Sequence, residues 1–204
     1  MLFFLDVISP IPEFFIIEDN KVIFRRKIIK NENDKLSDYI FETYINMDKD
    51  LNLTKNLKKI AMIIGPGSYT SLRVGASFLS GLKISKNIPF CSVSLVDIFQ
   101  FKFKNNKIKK IGIYISSSKK QNFFCILNNE QKIKYIKIEN NNYVVDNDVD
   151  TLYYNDTELV CNLKNIKQNK FSFIDQILEN YKKIEFSKEK IIKPIYISNN
   201  KILN

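Results

Sequence analysis

The sequence predicts an α/β protein of two lobes, each with a mixed β-sheet and flanking helices. Its 204 residues are enough for two small lobes, and 45% of them are hydrophobic, which is typical of a globular chain. Strand-like apolar runs alternate with segments of helical periodicity, which is the pattern of a layered α/β fold. The order of elements, a meander of strands and then helices, occurs loosely in both halves. We therefore expect an N-terminal lobe at 1–104 and a smaller C-terminal lobe at 105–204.

The first lobe opens with three strand-like runs, LFFLDVI, EFFIIED and KVIFRRKII, separated by a proline-containing break and by a turn at Asn20. Such short connections predict an antiparallel meander. The next segment, DKLSDYIFETYINM, has its apolar positions at helical spacing, with Asn33 or Asp34 as the N-cap. It predicts a first helix over residues 34–47.

The rest of the first lobe alternates strand and helix. LKKIAMIIG is a buried strand that ends at Gly65. A Gly-Pro-Gly turn then leads into a second helix over residues 69–85, with Ser68 or Thr70 as its cap. IPFCSVSLVDIFQF predicts a short strand and a third helix that begins near Ser94.

The second lobe repeats the strand meander with KIGIYISSS, QNFFCILN and KIKYIKIE. DTLYYND and ELVCNL predict short further strands. FSFIDQILENYKK has an apolar face at helical spacing and predicts a helix, and IIKPIYIS is a final extended segment.

The net charge of +10 invites a nucleic-acid hypothesis, but lysine supplies 29 of the 32 basic residues. Side chains that bind bases and phosphates are more often arginine, so codon bias together with solubility is the simpler explanation. The lysines are densest in residues 101–120, which hold seven of them and no acidic residue. This segment is either the place where RNA phosphates would be contacted or a solvated linker.

Several classes of site are excluded by composition. The chain has no histidine, so neither a Ser-His-Asp triad nor a Cys-His dyad can form. The three cysteines, Cys91, Cys125 and Cys161, are far apart in apolar runs, which predicts buried free thiols in a reducing compartment. The N-terminal apolar run is too short for a signal peptide and no segment approaches a membrane span, so we expect a cytoplasmic protein.

Residues 63–82, IIGPGSYTSLRVGASFLSGL, contain four of the chain's five glycines. Glycines before a helix suggest a phosphate-binding loop. The spacing, however, fits neither G-x-x-x-x-G-K-[ST] nor G-x-G-x-x-G, since Thr70 stands where the third glycine should be. Weak anion binding at the start of the helix is the remaining form of that hypothesis.

The small residues continue into the body of the helix, where glycine costs about 1 kcal/mol relative to alanine. Gly75 and Gly81 therefore need a compensating reason, and close approach of another backbone is the usual one. We predict that the two helices lie side by side and form an intersubunit face, with ordinary core packing as the alternative. The predicted interface residues are Leu36, Tyr39, Ile40, Thr43, Ser71, Leu72, Val74, Gly75, Phe78, Leu79 and Leu82.

The stretch GPGSYTSLRVGASFLSGLKISKNIPFCSVSLVDIF closely resembles the G-P-G-S-[FY]-T-G-[LV]-R-[IV]-G segment of the TsaB (YeaZ) family and the sequence that follows it. PIYI at 194–197 resembles the family's C-terminal P-[LI]-Y-[LI] element. Among the matching positions, we assign Gly65, Pro66, Gly67 and Arg73 to a structural turn. The resemblance covers the first lobe well and the second in outline.

The resemblance implies an actin-like ATPase (ribonuclease H-like) fold. It also implies a non-catalytic paralogue of TsaD, the subunit that transfers threonylcarbamoyl to the adenosine next to the tRNA anticodon. Such a protein pairs with TsaD through two helices of its N-terminal lobe and forms a homodimer through the same face. TsaE joins as an ATPase through the complex, where a tRNA contact is also compatible with this assignment. No cofactor, metal or membrane contact is implied for this chain.

The sequence departs from the family at its first loop, where D-T-[AS] is replaced by DVISP after the first strand. The hydroxyl that would face a phosphate is displaced, and the second lobe's D-A-R segment is replaced by ISSSKK. These departures argue against the main rival function, an ATP-dependent kinase of the actin-like fold. A stand-alone RNA-binding module that uses residues 102–120 is the second rival. The lack of histidine also excludes the H-x-x-x-H metal site of catalytic relatives.

Overall fold

Two five-stranded mixed sheets form the frame of the protein. The structure is a computed structural model, and it describes residues 1–31, 33–103, 108–117, 121–138, 149–155, 166–183, 192–198 and 201–203. The strands of the first sheet lie in the spatial order β3-β2-β1-β4-β5. The first three pair antiparallel, and β4 and β5 continue the sheet parallel to β1. Their bounds are β1 (Leu2–Asp6), β2 (Glu13–Glu18), β3 (Lys21–Lys27), β4 (Lys59–Ile63) and β5 (Phe90–Val93).

The second sheet has the same topology, in the order β8-β7-β6-β9-β10. Its first three strands again pair antiparallel, and the last two are parallel to the central strand. The bounds are β6 (Lys110–Ser117), β7 (Gln121–Asn128), β8 (Ile133–Ile138), β9 (Thr151–Tyr154) and β10 (Lys167–Lys170). The loose repeat in the sequence is therefore a repeat of sheet topology. Strand β10 was not predicted, and the ELVCNL segment lies outside the described residues.

The described helices are α1 (Leu36–Leu51), α2 (Leu53–Asn56), α3 (Tyr69–Lys86), α4 (Leu95–Phe99) and α5 (Phe173–Asn180). The predicted helices are confirmed, with the first one longer than expected. It continues past Met47 and ends at Asn52, which has a left-handed backbone conformation with φ of 49°. A small hairpin of β11 (Tyr196–Ser198) and β12 (Lys201–Leu203) closes the chain.

The helix caps confirm some of the predictions and correct one. Ser94 caps α4 in a reciprocal arrangement with Asp97. Ser68 is at the N-cap position of α3, although its side chain makes no capping hydrogen bond. The prediction for α1 was wrong, because Lys35 is at its N-cap position. The Asp34 carboxylate instead accepts hydrogen bonds from the amides of the preceding turn, at residues 30 and 31.

Helices α1 and α3 pack on one face of the first sheet around four aromatic side chains. The Phe78 ring of α3 lies 5.4 Å from Tyr44 of α1, 5.7 Å from Phe14 and 6.5 Å from Phe3, measured between centroids. These contacts hold the two helices beside each other, as the sequence predicted. The same buried cluster continues into the inward-facing residues of β6 and β7, so the two sheets share one apolar core.

The two halves also meet at α4 and α5. The Asn180 side-chain amide donates to the Ile98 carbonyl at 3.2 Å, and Lys102 forms an ion pair with Glu179 at 2.7 Å. The predicted lobe boundary falls within residues 104–107, outside the described residues. None of the helices in the described part of the chain is long and apolar enough to cross a membrane.

Candidate partner-binding surface

The Gly-Pro-Gly turn after β4 is buried where the two sheets meet. The amide of Ser68, the N-cap residue of α3, is buried and donates to the Ser117 hydroxyl of β6 at 3.0 Å, so this donor already has a partner. A Cβ placed on Gly67 would lie 3.2 Å from Ile8 Cγ1 and 3.3 Å from the Ser117 oxygen. The space beside this turn is thus filled by the protein's own side chains. This geometry argues against the anion-binding interpretation.

The side chain of Asp6, at the end of β1, also has its hydrogen-bond partners within the protein. Its carboxylate accepts hydrogen bonds from the Ile8 amide at 2.9 Å, the Ser9 amide at 3.1 Å and the Ser9 hydroxyl at 2.6 Å. Burial raises the pKa of the Asp6 carboxyl above its ordinary value, and the three hydrogen bonds oppose that rise. The side chain therefore stabilises its own turn rather than facing an open site.

We expect Asp6→Asn to stabilise the protein at neutral pH. The amide can keep the two backbone hydrogen bonds and donate to Ser9, without a buried charge. Because burial raises the pKa of Asp6 in the folded state, its unfavourable contribution grows as the pH rises above about 3.9. Urea unfolding at pH 4 and pH 7.5 measures the difference in unfolding free energy between the variant and the wild type. The stability gain of the variant must be larger at pH 7.5, and an equal gain at both values would contradict the interpretation.

The described residues bring no group of three or more cysteine, aspartate and glutamate side chains together at a distance that suits a metal ion. Cys91 and Cys125 are buried, as predicted, and neither is in a disulfide among the described residues; Cys161 lies outside them. Burial strongly raises the pKa of the Cys125 thiol, so that side chain is an inert part of the core.

The two stretches that carry the family resemblance meet in space. The Ile195 amide donates to the Ile64 carbonyl at 2.6 Å, so the PIYI segment crosses the end of β4. A Cβ on Gly65 would lie 2.6 Å from the Ile195 carbonyl oxygen. The ring of Tyr196 packs on Tyr69 with centroids 4.6 Å apart. The C-terminal segment therefore rests on the turn and on the first residue of α3.

The predicted interface residues divide into two sets. One set is buried in the core of the protomer, beneath the helices, and consists of Leu36, Ile40, Ser71, Leu72, Gly75 and Leu79. The other set remains partly or largely exposed and consists of Tyr39, Thr43, Val74, Phe78 and Leu82. Gly75 admits no neighbouring subunit, because a Cβ there would lie 2.9 Å from Val7 Cγ1 of the same chain. The first set positions the helices and is not available to a partner in this structure.

The outward side of the helix pair carries apolar residues that the sequence analysis missed. Phe41 and Ile45 of α1 are 63% and 37% exposed, and Ile84 of α3 is 81% exposed. The stripe 37, 41, 45 lies at i, i+4 spacing, and Ser37 shares a groove with Val74 and Ser77 of α3. The stripe therefore faces the same side as the outward residues of α3. We define this outer face as Phe41, Ile45, Ser77, Gly81 and Ile84.

Arg73 lies at one end of the outer face rather than in the turn to which it was assigned. It stands in the second turn of α3 and is exposed. Its guanidinium carbon lies 5.2 Å from the centroid of the Tyr69 ring, and it donates to the Tyr69 hydroxyl at 3.3 Å. The contact links Arg73 to the tyrosine pair beneath the C-terminal segment. The other turn residues, Gly65, Pro66 and Gly67, are buried in the turn itself.

Comparison with known proteins identifies relatives by sequence and by structure. A family model described as TsaD, tRNA N6-adenosine threonylcarbamoyltransferase, matches residues 35–196. The tRNA threonylcarbamoyladenosine biosynthesis protein TsaB of Buchnera aphidicola subsp. Acyrthosiphon pisum (strain APS) is 38% identical over 72 residues. This match spans 35% of the chain and 33% of that relative. The chain thus aligns with about a third of the curated relative's length.

Two solved structures from Pseudomonas aeruginosa match nearly the whole chain. One is described as a protein with similarity to peptidase YeaZ, has a TM-score of 0.63 and 12% identity, and covers 97% of this chain and 99% of its own. The other is YeaZ, with a TM-score of 0.62, 12% identity and coverage of 96% and 99%. At this identity the matches show the fold, and they confirm the predicted two-sheet actin-like architecture.

Proposed function

Because the chain matches the TsaD family model over most of its length and belongs to the TsaB (YeaZ) family, we propose that it acts in the biosynthesis of threonylcarbamoyladenosine in tRNA. Its role is that of a non-catalytic subunit that binds and supports TsaD. The observation that carries this proposal is the outer face of α1 and α3. Large apolar side chains there are exposed on a rigid pair of helices, which is typical of a protein–protein interface.

The helix pair suits this role because its position is fixed by the core beneath it. The buried set of α1 and α3 residues packs on the first sheet, and the aromatic cluster around Phe78 joins the two helices. The outer residues are therefore presented in one arrangement. A partner that places two helices against this face would form a four-helix contact in which Phe41 and Ile84 are central.

The non-catalytic role is supported by the residues at the position where an actin-like enzyme would bind its nucleotide. Asp6 is occupied by its own turn, and the Ser68 amide is held by Ser117. The chain has no histidine with which to bind a metal in the manner of catalytic relatives. These features favour an accessory subunit over an ATP-dependent kinase of the same fold.

The proposal also concerns assembly. We infer that the isolated protein forms a homodimer through the outer face and that TsaD competes for the same surface, with TsaE joining through the complex. A shared face makes the two associations mutually exclusive. Raising the concentration of TsaD should therefore convert homodimer to heterodimer without a species that contains both interfaces.

We expect the double variant Phe41→Asp, Ile84→Asp to lose TsaD binding by at least about 100-fold, because two central contacts of about 2 kcal/mol each are replaced by charges. Ile23→Asp is the matched control, since Ile23 is a comparably exposed isoleucine at 52% on the opposite edge strand β3. Titration calorimetry with TsaD from the same cell measures the affinity. Circular dichroism melting checks that each variant folds.

The result that would overturn the proposal is equally specific. If the double variant binds TsaD with the affinity of the wild type, the outer face is not the interface. Loss of binding in the Ile23→Asp control as well would assign the effect to added charge rather than to this surface.

A further inference from the structure

A cluster of basic side chains lies along one edge of the first sheet. Strand β3 and the residues after it hold five exposed basic side chains and no acidic one within residues 21–30, namely Lys21, Arg25, Arg26, Lys27 and Lys30. The other residues of 1–100 hold eight basic and eleven acidic side chains, a net charge of −3. The edge is thus a local cationic surface on an otherwise acidic half.

The choice of arginine on this edge sets it apart. The chain has 29 lysines and three arginines, and two of the three are adjacent at Arg25 and Arg26. Edge strands are commonly protected from aggregation by lysine. The other edge strands of the two five-stranded sheets contain no arginine. Strands β8 and β10 carry lysines, and β5 carries no basic residue. Protection of the edge therefore does not explain the guanidinium groups.

The geometry of β3 presents these groups to solvent. Arg25 and Arg26 point to opposite faces of the strand, and Arg25 is 65% exposed beside Glu13 at 3.7 Å. The Arg26 guanidinium lies over the Phe24 ring, with its carbon 5.5 Å from the centroid. The described residues give Arg26 no acidic partner. One guanidinium is thus oriented by an aromatic ring and free to bind an anion.

Addition of a further strand to this edge is disfavoured. The pairing of β2 with β3 has a register shift between Ile16 and Ile17, which leaves Ile23 as an extra residue in β3. A bulge and a row of basic side chains are both devices that prevent strand addition. A flexible polyanion does not need the backbone groups of the edge and can bind the side chains directly.

We propose that the β3 edge binds the phosphate backbone of RNA. One guanidinium group can bind two oxygens of a phosphate at once. The surrounding lysines add electrostatic attraction that does not depend on the RNA sequence. This inference rests on the proposed function in that tRNA is the RNA such a subunit would meet. It places the contact on the side of the first sheet bordered by β3, whereas the TsaD contact uses α1 and α3.

The structure also weakens the earlier candidate for an RNA contact in residues 101–120. Lys102 is paired with Glu179 at 2.7 Å, and the Asp150 carboxylate, which accepts from the backbone amides of Lys109 and Lys110, places a negative charge beside this segment. The remaining lysines of that segment, at positions 104, 107, 119 and 120, lie outside the described residues. Of the described surfaces, the β3 edge is the one with two adjacent arginines.

The test measures binding of a fluorescently labelled, unmodified tRNA transcript to the full chain by anisotropy at 50–200 mM KCl. We expect Arg25→Glu, Arg26→Glu to weaken binding at least about tenfold and to reduce the salt slope of log K by between about 1 and 2. Lys167→Glu, Lys170→Glu on β10 makes the same change in net charge on another edge and should change the affinity less than twofold. Arg25→Lys, Arg26→Lys should give an intermediate loss, because bidentate contacts are removed while charge is kept.

Four outcomes would overturn the proposal. They are no binding by the wild type at 50 mM KCl, no loss in the arginine variant, an equal loss in both charge-reversed variants, and displacement of the tRNA by poly-L-glutamate at equal charge concentration. The last would assign the edge to an acidic protein. The outer-face variants should bind tRNA with wild-type affinity. A failure of the TsaD proposal can therefore be distinguished from a failure of the RNA proposal.

Discussion

Replacing Gly75 with leucine is expected to unfold the protein or to lower its unfolding free energy by about 4 kcal/mol or more. A Cβ at this position would lie 2.9 Å from Val7 Cγ1 and 3.4 Å from Leu5 Cδ2, and both neighbours are fully buried. The rest of a leucine side chain would have to displace α3 from the sheet, and overpacking of this kind is strongly destabilising. We expect a large loss in the denaturant midpoint and in the melting temperature.

Gly81→Leu is the matched control in the same helix. Within 4 Å of a Cβ at Gly81 the described structure places no atom, and the residue is exposed. Leucine is a better helix former than glycine by about 0.8 kcal/mol, so this variant should be as stable as the wild type or slightly more stable. Because Gly81 lies on the outer face, the same variant should weaken TsaD binding. A Gly75→Leu protein that melts like the Gly81→Leu protein would show that α3 does not approach β1 this closely.

Gly65→Ala is expected to cost about 3 kcal/mol, which is the second large effect. Gly65 has φ of 129°, a conformation that side chains with a Cβ rarely adopt, and the added carbon would lie 2.6 Å from the Ile195 carbonyl oxygen. Since that oxygen belongs to the backbone, it cannot move without loss of the Ile195–Ile64 hydrogen bond. Urea unfolding measures the stability, and limited proteolysis should release the C-terminal segment first.

Gly67→Ala provides the comparison two residues away. Its nearest neighbours would be side-chain atoms of Ile8 and Ser117 at 3.2 and 3.3 Å, and its backbone is not in the left-handed region. We therefore expect a smaller loss and no earlier release of the C-terminal segment. If the two substitutions cost the same, the crossing by residue 195 is not what requires glycine at position 65.

The sequence was sufficient for most of the strands and for the helices, because their signals are local. The apolar runs of β1, β2 and β4 are continuous and bounded by turn residues, and α5 has a clear stripe. The N-cap of α1 was missed because Asp34 is consumed by a turn of its own. Strand β10, KQNK, has no hydrophobic pattern from which it could be predicted.

The sequence placed the candidate surface on α1 and α3 but did not distinguish their outward residues from their buried ones. Helix α3 is apolar around most of its circumference, so its periodicity does not reveal which side faces the sheet. The signal that could have helped is in α1, where Phe41 and Ile45 are large apolar residues outside the stripe 36, 40, 44, 47. The need for glycine at position 75 could not be predicted either, because it arises from tertiary packing. The residues that a side chain there would meet, Leu5 and Val7, lie about 70 positions earlier in the chain.

The crossing at the Gly-Pro-Gly turn has a mechanical consequence. One short segment is held on one side by Ser117 of the second sheet and on the other by Ile195 of the C-terminal segment. A hinge motion that separated the two sheets would have to break both hydrogen bonds and expose the shared core. We therefore expect the protein to behave as a rigid block, in contrast to enzymes that open and close around a substrate. A partner would then meet a preorganised helix pair and lose little conformational entropy on binding.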